Sequence, residues 1–144
     1  MSKTGFQLAD GAAEQYEKFN VPTMSRPAAE SFLENIDIGA ADRVLDLACG
    51  TGIMTRLIAE KYEKTGGVTG LDFNDGMLKV ARSLSPKADF PIEWHQGDIC
   101  DLALRDGQYE LVLCNHGLQF IPDKAAGFSE IMRVLVPGGR LAFT

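Results

Sequence analysis

The run Val44-Leu45-Asp46-Leu47-Ala48-Cys49-Gly50-Thr51-Gly52 constrains this chain more than any other feature, because an apolar strand passes without a linker into a glycine turn and a helix start. Gly50 and Gly52 can adopt positive φ and carry no side chain to hold a ligand off the backbone, and Ala48 is nearly as small. The amides that follow, where a helix opens at Ile53, present unpaired N–H groups. A turn of this kind brings bare backbone against a nucleotide-like ligand. Asp72 ends the next apolar run, Gly67 to Phe73, and lies 20 residues beyond Gly52, the spacing at which a carboxylate meets ribose hydroxyls.

Short runs rich in Val, Leu and Ile alternate with segments of helical period, the pattern of a parallel sheet covered on both faces. Strands are expected at 43–48, 67–72, 91–96, 109–115 and 140–144, and helices at 26–36, 52–63, 75–84 and 124–135. Asn74 and Asp123 stand where N-caps are wanted, and Pro137-Gly138-Gly139 is expected to stop the last helix and turn into the final strand. Right-handed crossovers then give a doubly wound α/β sheet of order 3-2-1-4-5, with a crevice at the switch between strands 1 and 4. The glycine turn, Asp72, Asp98 and Asn115 all emerge at the carboxyl edge beside it. His95 is expected to pack against a helix, opposite Ile92, Trp94 and Gln96.

At 144 residues the chain fits a single domain, residues 1–40 forming a helical cover and 41–144 the βαβ core. A net charge of −6 argues against a nucleic-acid partner, since phosphate contact needs a basic face. No apolar run approaches the ~20 residues that span a bilayer, and Met-Ser-Lys-Thr-Gly-Phe has no apolar segment of a signal peptide, so no membrane association and a cytoplasmic location are expected. Cys49, Cys100 and Cys114, odd in number and without Cys-x-x-Cys spacing, suggest neither a disulfide framework nor a metal site.

Two cofactor readings compete for the glycine turn. A dinucleotide fingerprint wants Gly or Ala three residues after the second glycine, and this chain has Thr55. Four further landmarks follow in order: Asp72; Gly97-Asp98-Ile99; Tyr109 to Asn115; and Arg133-Val134-Leu135-Val136-Pro137-Gly138-Gly139-Arg140-Leu141. On these the chain resembles the class I S-adenosylmethionine-dependent methyltransferases over about residues 10–144. Within them it looks most like the small-molecule enzymes typified by quinone biosynthesis, with Leu118-Gln119-Phe120-Ile121-Pro122-Asp123 as a further match.

The resemblance implies a Rossmann-like sheet, S-adenosyl-L-methionine as cofactor and a small-molecule methyl acceptor. It implies that Ala48, Cys49, Gly50 and Gly52 pack on the methionine moiety and ribose, and that Asp46 aids the amino end. Asp72 would take the ribose hydroxyls, so that Asp72→Ala is expected to weaken binding while leaving the fold intact. Phe73 or Met77 would pack on adenine, with Gly97, Asp98 and the Ile99 backbone around its amine edge. Asn115 would meet the methionine amino group through its carbonyl. His116, just after strand 4, is the candidate general base for the acceptor, or else lines the pocket. Residues 12–19 resemble the stretch that closes over the cofactor, Tyr16 and Phe19 being suited to shield a sulfonium, although a plain docking helix fits equally.

Members of the family continue past strand 5 to strands 6 and 7, which this sequence lacks. Strand 5 is then an exposed edge and self-association into a homo-oligomer is expected, unless the chain is part of a longer protein. The alternative function is an S-adenosylmethionine-binding domain without turnover.

Overall fold

Five parallel strands form one sheet in the order β3-β2-β1-β4-β5. They are β1 Arg43–Leu47, β2 Gly67–Asp72, β3 Ile92–Gln96, β4 Tyr109–Cys114 and β5 Leu135–Phe143. The computed structural model describes Ala9 and residues 11–144; the remainder of the expected cover, residues 1–8 and 10, lies outside the described residues. The near-continuous apolar runs follow from burial on both faces. Val44, Leu111 and Leu113 enter one core with helices α2 (Arg26–Leu33) and α3 (Ile53–Lys61), while Leu45, Leu47 and Val112 enter a second core with α5 (Lys124–Val134). Outer strand β3 is mostly exposed, so the buried mass lies on β1, β2 and β4.

Helix starts follow local chemistry. The Asn74 side chain accepts from Gly76 N at 2.9 Å to open α4 (Asp75–Ser83), and Asp123 Oδ1 accepts from Ala126 N at 3.0 Å to open α5. Gly52, at φ 84°, precedes α3.

Three expectations need correction. The helix expected at 26–36 is not a separate element: α1 (Ala12–Gln15), a π-helical stretch Tyr16–Ser25 and α2, which ends at Leu33, run on as one helical rod, in which Arg26 N donates to Val21 O, five residues back. Pro22, which has no N–H to donate, sits inside the wide turns. Second, Pro137-Gly138-Gly139 does not separate a helix from a strand. Helix α5 stops at Val134, β5 starts at once, and these residues bulge out within it, so that pairing passes from Tyr109↔Leu135 to Leu111↔Arg140. Third, His95 is exposed on β3 and lies 3.2 Å from Glu93 Oε2 rather than against a helix.

Candidate functional site

The glycine turn is fastened to the end of β2. Cys49 N donates to Leu71 O at 3.0 Å and Gly50 N to Asp72 Oδ2 at 2.9 Å, while the other carboxylate oxygen of Asp72 accepts from Asn74 N at 2.8 Å. One side chain thus ties the turn to the start of α4 and still has lone pairs for a ligand. Burial raises the Asp72 pKa, and the N–H groups of Asn74, Gly50 and Phe73 oppose that rise. Ala48 and Gly50 have φ of 53° and 57°. The left-handed conformation costs a non-glycine residue about 1–2 kcal/mol, so Ala48 is held there by its surroundings.

Asp46, 2% exposed, leaves β1 pointing toward α3, where Thr55 Oγ1 donates to its Oδ2 at 3.0 Å. The threonine that spoils the dinucleotide pattern therefore anchors the buried carboxyl group. Burial pushes the Asp46 pKa up to about 7, the Thr55 hydrogen bond pulls it down, and Asp72 pushes it up further. Between the ordinary value of 3.8 and about 7 the folded chain holds a proton that the unfolded chain has released. This contribution to stability is complete below pH 4, declines as pH rises through 7 and is then level. The total decline is at most about 4 kcal/mol, three units at 1.36 each. Asp46→Asn, which can still accept from Thr55, is expected to flatten the pH dependence of the urea midpoint between pH 5 and 8. Parallel wild-type and variant profiles would remove Asp46 as the titrating group.

A cavity of about 630 Å³ opens at the carboxyl edge. Of the residues singled out in the sequence, Tyr16, Asp46, Ala48, Cys49, Gly50, Asp72, Phe73, Met77, Asp98, Ile99, Asn115 and His116 line it. Gly52 and Gly97 do not. A β-carbon on Gly52 would press into the Trp94 ring, and one on Gly97 would lie 3.1 Å from Leu71 Cδ1, so both glycines serve packing behind the cavity. Phe19 is not in the wall either: it is 58% exposed on the outer side of the helical rod, with Lys18 Nζ 5.2 Å from its ring centre.

The wall also includes Ser25, Met54, Phe120, Ile121 and Pro122, to which the sequence reading gave no site role. The segment from 118 to 122 carried a family resemblance and no chemistry, and Ser25 and Met54 lie on helices whose facing surface depends on tertiary packing. Ser25 Oγ donates to Asn20 Oδ1 at 2.6 Å and lies 2.7 Å from Tyr16 Oη, which gives the π-helical stretch a polar lining.

After β4, His116 has φ 56° and is exposed on the cavity wall. Its N–H donates to Thr144 Oγ1 at 3.0 Å, and that hydroxyl donates to Asn115 Oδ1 at 2.9 Å, so the end of β5 braces both residues. Asp98 Oδ1 accepts from Cys100 N at 2.9 Å, capping a local turn while it lines the cavity. Cys49 and Cys114 are free and buried, and burial raises both thiols, Cys114 to about 12.

With this geometry in hand, residues 45–143 match the methyltransferase domain family. The chain is 40% identical over 105 residues to 2-phytyl-1,4-beta-naphthoquinone methyltransferase of Arabidopsis thaliana, covering 70% of this chain and 40% of that one. It is 34% identical over 139 residues to demethylmenaquinone methyltransferase of Lactiplantibacillus plantarum, covering 93% and 59%. Among solved structures, an S-adenosylmethionine-dependent methyltransferase of Mesorhizobium loti superposes with a TM-score of 0.68 at 29% identity, over 93% of this chain and 54% of that one. The chain thus spans about two-fifths to three-fifths of the length of these curated relatives.

Proposed function

The chain belongs to the methyltransferase domain family, and from that premise we propose that its cavity binds S-adenosyl-L-methionine and presents the methyl group to a small apolar acceptor. The observation that carries the reading is one cavity lined by the glycine turn, Asp72 after β2, Asp98 after β3 and Asn115-His116 after β4. The residues fit that cofactor. Gly50 is open, a β-carbon there meeting nothing nearer than Tyr16 Cε1 at 4.0 Å, and one buried and one half-buried carboxyl group, Asp46 and Asp72, stand ready for amino and hydroxyl groups.

In this reading Asp72 accepts from the ribose hydroxyls and Asp46 faces the amino end, with Asn115 offering its carbonyl there. Phe73 and Met77 pack on the adenine, and Asp98 and Ile99 meet its amine edge. When bound, the cofactor supplies a methyl group on positive sulfur, whose bond electrons return to sulfur as the acceptor's electron pair takes the carbon. The protein's task is then alignment and exclusion of water. Ile99, Phe120, Ile121 and Pro122 give the cavity an apolar wall, and among the described residues no Lys or Arg lines it. That chemistry suits an uncharged, ring-shaped acceptor of the kind named in the quinone methyltransferase relatives. His116 takes the proton that the acceptor loses.

Among the described residues no helix is long and apolar enough to cross a membrane. We take the protein to be cytoplasmic and, because β5 is an outer strand, to pair with a second copy along it. Titration calorimetry with S-adenosylmethionine and S-adenosylhomocysteine, with light scattering in the same buffer, tests the reading. A Kd on the order of micromolar, ~−8 kcal/mol, and transfer to a 1,4-naphthoquinol acceptor are expected. Binding without turnover over a broad acceptor panel would leave only a binding domain. A folded sample that binds neither ligand removes the cofactor assignment.

A further inference from the structure

The apolar footing of the π-helical stretch over the cavity is narrow: Val21 enters the core beside Ile53 and Met54, and Tyr16 packs against it. In the π-helical stretch the buried side chains are Val21 and Ser25, while Phe19 and Met24 are more than half exposed. One guanidinium supplies a polar tie from this stretch to the glycine turn. Arg56, on the first turns of α3, donates through Nη2 to Glu17 Oε1 at 2.7 Å and through Nη1 to Thr51 O at 2.8 Å, and both charged side chains are largely shielded from water. Glu17 adjoins Tyr16, whose ring faces Gly50, and Thr51 sits between the two glycines.

The bridge is also incomplete. Among the described residues, the buried side-chain oxygens without a hydrogen-bond partner are Glu17 Oε2 and Thr51 Oγ1, one on each of the two residues that Arg56 joins. A buried acceptor and a buried hydroxyl left unpaired are each costly, and they are complementary.

We propose that Glu17, Arg56 and Thr51 form a latch that holds the π-helical cover down on the glycine turn and sets the rate at which the cavity's ligand escapes. The retention half rests on the reading of the cavity as a cofactor site; the latch itself does not. Arg56 is a positioning residue, acting through the cover. A second bridge from the same rod to the same helix serves as the control: Arg26 Nη2 donates to Glu60 Oε2 at 2.8 Å, away from the turn and exposed on both sides.

Hydrogen exchange of the full chain without ligand is compared in the wild type, Glu17→Gln, Arg56→Lys and Glu60→Gln, and S-adenosylhomocysteine dissociation is followed by displacement in the same proteins. In Glu17→Gln and Arg56→Lys, exchange of amides 16–25 and the dissociation rate should each rise about tenfold, the effect of about one charge-assisted hydrogen bond, with β1 and β4 unchanged. Glu60→Gln should match the wild type in both. Exchange that rises throughout the chain, or a Glu60→Gln variant that behaves like the other two, overturns the latch. If the wild type binds neither S-adenosylmethionine nor S-adenosylhomocysteine while amides 16–25 respond as stated, the cofactor reading falls and the latch stands.

Discussion

Gly52→Ala should destabilise the chain by about 2–5 kcal/mol, the sum of about 1–2 for a β-carbon in the left-handed region and about 1–3 for overpacking. Gly52 has φ 84°, and an added β-carbon there would lie 2.9 Å from Trp94 Cζ3 and 3.4 Å from Ala81 Cβ. The indole cannot simply slide away. It also lies across Gly70, where a β-carbon would be 2.5 Å from Cε3, and its Nε1 donates to Ser85 Oγ at 3.2 Å. Trp94 therefore fills the space that two glycines leave open, one in the turn and one on β2, and supports the turn from behind the cavity. Urea unfolding of Gly52→Ala, Trp94→Phe and the double variant measures this contact. The smaller ring should recover about 1–2 kcal/mol of the glycine loss as a coupling between the two sites. A loss under about 1 kcal/mol with no coupling would mean that the ring is free to move aside.

Trp94 marks where the sequence became opaque. The strand-turn-helix from Val44 to Ile53 and the spacing to Asp72 are legible because backbone geometry and chain length fix them locally, and the strand order follows from handed crossovers. The cavity wall built from those turns was accordingly anticipated down to Asn115 and His116. From sequence alone Gly52 reads as a ligand contact, because a glycine in such a turn has two reasons to lack a side chain and only the position of Trp94, 42 residues later, distinguishes them. The same holds for Arg56 and Glu17, partners across 39 residues, and for the bulge at Pro137-Gly138-Gly139, where turn residues are absorbed into a strand because the flanking Leu135 and Arg140 pair with Tyr109 and Leu111. Ser25 and Met54 reach the wall by helix orientation, which tertiary packing sets for Met54 on α3, and for Ser25 the π-helical turns shift that orientation away from the 3.6 period on which any sequence reading depends.

Asp72→Ala is expected to lower stability by about 2–4 kcal/mol as well as to weaken S-adenosylmethionine binding by at least about tenfold, because the carboxylate holds two backbone donors before any ligand arrives. The spacing from the glycine turn suggests a side chain devoted to the ligand, whose removal spares the fold. The structure corrects this. Gly50 N–H and Asn74 N–H, at 2.9 and 2.8 Å from the two oxygens, would lose their acceptor in a half-buried place, and with them the alignment of the turn and the start of α4. Removing a group whose own ionisation is disfavoured by burial returns part of that cost, which keeps the net loss below the sum of two charged hydrogen bonds. Asp72→Asn separates the two roles. Its amide oxygen can accept from one of the two donors while its NH₂ confronts the other, so stability should fall by about half as much as in Asp72→Ala, whereas a ribose that needs a charged acceptor is bound nearly as poorly. Chemical unfolding and calorimetric titration of the two variants decide the matter. Equal stability of Asp72→Ala and the wild type would show that water replaces the carboxylate at the turn, and unchanged affinity in both variants would move the ribose contact to another residue.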